Sequence, residues 1–156
     1  MLEHLKLHLK RKTVILGIGN VMRGDDGVGS LLCSRIKTKV SHIVYDAGAN
    51  PENYLGKIIK DKPETVVIVD AVDFGADAGQ IREIEADEIE TTNFFYTHNS
   101  SIALVINYLQ KNLHTDIILL AIQPKNISFT DKLSPQVSRA LETLEKWFLN
   151  CKEDKK

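Results

Sequence analysis

Thr65-Val-Val-Ile-Val-Asp70 is the stretch on which the fold turns. Val66 to Val69 are all β-branched, and no polar residue interrupts them. A strand with one wet face alternates apolar and polar side chains, whereas an unbroken apolar run suits a central parallel strand covered on both faces. The run ends abruptly in a carboxylate, which raises the question of what that carboxylate does.

Three neighbouring stretches repeat the signal. Thr13–Ile18 (TVILGI), His42–Ala47 (HIVYDA) and Thr115–Ile122 (TDIILLAI) read as further strands. Between them lie helical spacings. Gly27–Lys39 carries Val28, Leu31, Leu32, Arg35 and Ile36, and Asn99–Asn112 carries Ile102, Ala103, Val105, Ile106 and Leu109. Asn50-Pro51 opens a helix to about Lys60, with Asn as cap and Pro in the first turn, and Lys62-Pro63 stops it. Ser134-Pro135 opens a last helix in the same way, carrying Val137, Leu141, Leu144 and Phe148. Gly79–Glu85 (GQIREIE) alternates, which predicts a strand with one exposed face at an edge. The order β-α-β-α-β-β-α-β-α implies a three-layer α/β/α sandwich on a mostly parallel sheet.

Bulk composition narrows the function. The 156 residues suit a single domain, with its core at about 13–149, a basic lead-in before it and a charged tail after it. With 20 basic and 21 acidic residues the net charge is −1, so the basic excess of a nucleic-acid binder is missing. Cys33 and Cys151 form no CxxC pair, which argues against a structural zinc or redox motif. No apolar run approaches the roughly 20 residues of a membrane span, and the leucines of Met1–Lys12 are too dispersed for a signal peptide. Few cysteines and no export signal point to the cytoplasm. Oligomeric state is left open, a monomer being allowed.

In open α/β sheets, ligands gather at the carboxyl ends of the strands. Those ends carry Gly17-Ile-Gly-Asn-Val-Met-Arg-Gly-Asp-Asp-Gly-Val-Gly29, Asp46-Ala-Gly-Ala-Asn50, Asp70-Ala-Val-Asp73 and Gln123-Pro124, and Tyr96-Thr-His-Asn-Ser100 precedes the third helix. Gly17-Ile-Gly19 resembles the start of a dinucleotide fingerprint, but the third glycine is replaced by Met22 and two aspartates follow. Carboxylates there would repel a pyrophosphate. The glycines also serve tight turning and close helix–strand packing. Asp25 or Asp26 could cap the first helix, leaving the other free for chemistry. Asp70 either fixes a turn through backbone amides or acts as a ligand or general base. His98 is a capping or solvated loop residue, or a ligand. A Ser–His pair with Ser100 or Ser101 is disfavoured, because residues so close at a helix start rarely meet in the geometry activation needs. Cys33 is expected to pack in the core, Asp73 to form a turn, and His4, His8, His42 and His114 to lie at the surface or at strand starts. One imidazole and two carboxylates converging from separate elements suit nickel, zinc or iron better than magnesium.

Taken together, Gly17-Ile-Gly-Asn-x4-Asp25-Asp26-Gly-x-Gly29, Asp46-Ala-Gly48, Asp70-Ala71, His98 and the Pro124 loop resemble the signature of the nickel–iron hydrogenase maturation endopeptidases. The resemblance runs from about Thr13 to Phe148. Asp-Asp-Gly in place of Asp-Glu is similar to the subgroup serving hydrogen-evolving or energy-conserving hydrogenases. What it implies is a phosphorylase/hydrolase-like sandwich with a five-stranded mixed sheet, order 2-1-3-5-4, strand four antiparallel. It also implies an endopeptidase that removes the C-terminal extension of a hydrogenase large-subunit precursor after nickel has been loaded. Asp26, Asp70 and His98 then correspond to the family's nickel-site and catalytic residues, with nickel supplied by the precursor. Asp46 matches a further acidic position of unassigned role. The alternatives are a non-catalytic chaperone for the nickel centre and a nucleotide-binding module.

Overall fold

The computed structural model describes residues 9, 12–91 and 100–150. Five strands form one sheet in the order β2-β1-β3-β5-β4, where β1 is Thr13–Ile18, β2 Ile43–Gly48, β3 Thr65–Ala71, β4 Ile81–Glu85 and β5 Asp116–Ile122. The helices are α1 Val28–Ile36, α2 Leu55–Asp61, α3 Ala86–Thr91, α4 Ser100–Asn112 and α5 Pro135–Asn150. β1, β2, β3 and β5 run parallel and β4 runs antiparallel to β5. All residues of β1 and β3 are buried, as their unbroken apolar runs require.

Two cores flank the sheet. On one face Ile15, Val67, Val69 and Leu120 pack against Leu32, Cys33 and Ile36 of α1 and Val137, Leu141, Leu144 and Phe148 of α5. On the other, Leu16, Ile68 and Leu119 pack against Ile58 of α2 and Ile102, Val105, Ile106 and Leu109 of α4. Each fully buried aliphatic side chain contributes about 1.5–3 kcal/mol relative to its exposed state. The apolar positions of α5 recur at helical spacing because only one stripe of that helix meets the sheet.

Several local expectations are corrected. The first helix is preceded by a separate 3-10 turn, Gly24–Gly27. The second is a 3-10 turn, Pro51–Tyr54, leading into α2, and the Asn50 side chain makes no capping bond. Lys62 ends α2 in a left-handed conformation (φ 51°), after which Pro63 prevents continuation. Ala103 faces solvent. His42 stands immediately before β2, at the strand start as expected, and is buried there. β4 is an edge strand, but not one with a single buried face: Ile81 packs into the α1/α5 core while Ile84 packs into the α2/α4 core. Their spacing of three residues sends them to opposite faces, because strand side chains alternate. The short helix α3, with Asp87 and Glu88 in its first turn, was not expected.

β1 sits between β2 and β3, so the chain leaves it toward one side and returns on the other. In open α/β sheets such a reversal marks the carboxyl ends of the two strands, here β1 and β3, as the place where ligands bind.

Candidate active site at the ends of β1 and β3

The approach of α1 to the sheet is set by glycine. A Cβ on Gly29 would collide with the carbonyl oxygens of Val69 and Ile18, and one on Gly19 with the carbonyl oxygen of Asp26. Gly19 also takes φ 145°, a conformation that L side chains rarely adopt. Backbone meeting backbone here lets the 3-10 turn lie directly over the end of β3. The glycines therefore serve packing, and the turn they admit carries Asp25 and Asp26.

The two adjacent carboxylates diverge. Asp25 is completely buried. Its Oδ1 accepts the Ser134 amide at 2.7 Å. Its Oδ2 accepts the amides of Lys125 at 2.9 Å and Asn126 at 3.0 Å and the Ser134 hydroxyl at 2.8 Å. It caps no part of α1; it ties the turn to the β5–α5 loop and to the residue preceding α5. Asp26 is only partly buried. Its Oδ2 accepts the Asn20 amide at 3.0 Å, and Asn20 Oδ1 in turn accepts the Met22 amide at 2.9 Å.

Asp70 lies at the end of β3, opposite Ala121 of β5 and 1% exposed. The register places it on the sheet face covered by α2 and α4. Its Oδ1 has no hydrogen-bond partner among the described residues. Burial first, and then the Asp26 carboxylate, push its pKa well above the usual carboxylate range, with the Ala71 amide opposing them. Asp26 thus lies near enough for its charge to act on Asp70. His98 lies outside the described residues; α4 begins at Ser100.

Asp46 pairs in register with Gly17, which itself pairs with Val69, so it belongs to the opposite, α1-covered face. Its Oδ1 accepts the Ser30 hydroxyl at 2.6 Å and the Gly48 amide at 3.2 Å, anchoring α1 to the end of β2. Asp73 is exposed and forms the expected turn, accepting the Gly75 amide at 3.0 Å. Cys33 is buried beneath α1 with its thiol pushed up to about 12, mainly by burial, so it is no nucleophile.

Gln123 is a residue whose part the sequence reading missed. Its side-chain carbonyl accepts the amides of Phe74 and Ala76, at 2.9 and 3.2 Å, and its amide donates to Asp73 at 3.0 Å. It holds the loop that follows Asp70. No local spacing announces such a role, since its partners lie 47–50 positions away.

Two other features compete for notice. Glu85, Asp87 and Glu88 could geometrically share a cation, but all three are exposed, and such groups are common without one. A cavity of 260 Å³ lined by Ile59, Lys62, Pro63, Asn112, Leu113 and His114 lies at the opposite edge of the sheet, where β3 and β5 begin. The site fits a divalent cation better than a phosphate. Two juxtaposed carboxylates, one with an orphaned buried oxygen, favour positive charge and repel an anion.

Comparison with known proteins identifies the family. Residues 27–151 match the family model described as HycI, hydrogenase maturation protease. The match includes Asp70 and His98 and begins one residue after Asp26. The chain is 36% identical over 140 residues to the hydrogenase 3 maturation protease of Escherichia coli K12, covering 86% of this chain and 89% of that one. It superposes with a TM-score of 0.82 on the crystal structure of a NiFe hydrogenase maturation protease HycI from Thermococcus kodakarensis, at 32% identity, covering 91% and 92% of the two chains. The Escherichia coli endopeptidase HybD shares the fold, with a TM-score of 0.74 at 19% identity over 87% of this chain and 88% of that one. The sheet order, the antiparallel β4 and these matches lead to one statement: the chain belongs to the hydrogenase maturation protease family.

Proposed function

We propose that this protein is an endopeptidase that removes the C-terminal extension of the nickel-loaded precursor of a nickel–iron hydrogenase large subunit, with Asp26, Asp70 and His98 as its nickel-contacting and catalytic residues. One observation carries the site assignment. Asp70 is buried at a strand end with an oxygen unpartnered among the described residues, within the field of a second carboxylate, Asp26. Such an arrangement is costly in a folded protein unless a cation or a proton is meant to be there.

Nickel is substrate-borne in this reading: it arrives in the precursor, and the three side chains complete its surroundings. Mixed imidazole and carboxylate donors suit that ion. Held there, it supplies a positive charge that can polarise a carbonyl. The chain itself supplies proton transfer. A carboxylate at position 26 or 70 takes a proton from water as the water oxygen bonds to the scissile carbonyl carbon. The same proton is passed to the departing amine nitrogen as the C–N bond breaks. Burial and the Asp26 carboxylate raise the pKa of Asp70, which makes its ionised form a stronger proton acceptor. No cysteine or serine nucleophile is required.

Among the described residues no helix is long and apolar enough to cross a membrane, and we place the reaction in the cytoplasm, where the precursor would be met. The test is incubation with nickel-loaded precursor, read by intact mass. Wild-type protein shortens the precursor, while Asp70→Ala and His98→Ala slow the cut by at least ~10²-fold, the lower end of general acid–base contributions. Precursor that binds but keeps its full length would identify a chaperone instead. Wild-type rates in all three single alanine variants, Asp26→Ala included, would remove the site assignment.

A further inference from the structure

We propose that Asp25 is a positioning residue for the cleavage reaction: it clamps the 3-10 turn to the β5–α5 loop and so fixes where Asp26 sits. The inference rests on Asp26 being the reacting carboxylate.

The turn cannot hold itself. It has four residues, bounded by bonds from Asp26 N–H to the Arg23 carbonyl at 3.1 Å and from Val28 N–H to the Asp25 carbonyl. So short a 3-10 segment is marginal without outside contacts. Besides the Asn20 amide on Asp26 and the packing over the end of β3, its outside bonds lead to the loop after β5. Gly24 N–H donates to the Thr130 carbonyl at 2.7 Å, Thr130 N–H to the Met22 carbonyl at 2.9 Å, and Asp25 N–H to the Asn126 carbonyl at 2.9 Å. Arg23 Nε adds a bond to the Ile127 carbonyl at 3.3 Å. Gly24, at φ 56°, has the Asn126 carbonyl where a Cβ would go, so the two loops lie backbone to backbone.

The Asp25 side chain is the centre of this seam. Four donors converge on its two oxygens, from Lys125, Asn126 and Ser134. Hydrogen bonds to a charged acceptor are shorter and about twice as strong as neutral ones. With four donors and no exposure, Asp25 has no free face for a metal or a substrate. It acts through its neighbour. Asp26 is the next residue, half open to solvent, with a single backbone amide on its carboxylate. Its direction therefore follows the turn's placement, and a displacement of about 1 Å at a reacting group can cost ~10²-fold in rate.

The test uses the full chain with nickel-loaded precursor and three variants. Ser134→Ala removes one donor from Asp25 and leaves the Ser134 amide in place. Ser134→Thr keeps the hydroxyl. Asp25→Asn puts an NH2 group against N–H donors. Rates are taken per folded molecule, well below each unfolding midpoint, alongside the amide NMR shift of Asn20, which reports the Asp26 contact. The expected result is kcat reduced about 3–10-fold in Ser134→Ala and further in Asp25→Asn, with KM within twofold of wild type, a moved Asn20 resonance, and recovery in Ser134→Thr. Unchanged kcat per folded molecule in both Ser134→Ala and Asp25→Asn would overturn the clamp. Equal losses in Ser134→Ala and Ser134→Thr would overturn it too. If wild-type protein fails to cut, the proposed function fails instead, and the Asn20 resonance alone then decides the clamp.

Discussion

Asp25 and Asp70 are both carboxylates withdrawn from water, at 0% and 1% exposure, a short distance along the same edge of the sheet. The surroundings of Asp25 were built for an anion: four donors meet it. Those of Asp70 were not. Among the described residues one of its oxygens has no partner, and the charge that bears on it is another carboxylate. Burial alone therefore says little about a titratable group; what matters is whether its hydrogen-bonding capacity has been met. A satisfied buried charge belongs to the architecture. An unsatisfied one is where chemistry is to be sought.

The contrast predicts opposite signs for the same chemical change. Asp25→Asn should lower stability by about 3 kcal/mol in denaturant titration, because removing the charge weakens several bonds and leaves donors without an acceptor. A loss under ~0.5 kcal/mol would mean that the four bonds matter little. Asp70→Asn should instead raise the thermal midpoint, by roughly 2–4 °C if the gain is near 1 kcal/mol in a chain of this size. A lowered midpoint would show that the Asp70 charge is better accommodated than its contacts imply.

The second effect should depend on pH. Because the folded protein holds the Asp70 pKa above its unfolded value, the stability linked to this group is fully present below the unfolded pKa. It is lost as pH rises through the folded pKa. The gap between Asp70→Asn and wild type should be smallest near pH 4 and widen as pH rises, measured as the difference in midpoints across a pH series. A constant gap would refute the linkage. The smallest change belongs to Asp73→Asn. That residue is exposed, and an Asn oxygen can still accept from Gly75 and Gln123, so stability should stay within about 0.5 kcal/mol.

Much of the architecture was readable from the linear chain. β1, β3 and β5 announce themselves because strands covered on both faces need uninterrupted apolar runs, and α5 does so because a helix on a sheet needs a single stripe. Sheet order and the antiparallel β4 came through the family resemblance, since local pattern does not encode which strands become neighbours. The juxtaposition of Asp26 and Asp70 followed once β1 and β3 were adjacent. The division of labour between Asp25 and Asp26 did not. The partners of Asp25 lie 100–109 positions away, and a carboxylate that caps a distant loop looks, in sequence, like one that caps the next helix. α3 escaped notice because six residues are too few to show a period. His98, named from the sequence, falls outside the described residues.

The unpartnered oxygen of Asp70 also has an evolutionary reading. A sequence chosen on this backbone for stability alone would keep aspartate at 25 and would not choose it at 70. On the proposed function, use keeps the carboxylate there. In a gene copy released from its substrate, position 70 is where neutral or stabilising replacements become available first, while position 25 stays closed to change for as long as the chain must fold. The two aspartates are thus held by different selections, and the order in which they decay would date the loss of the reaction separately from the loss of the fold.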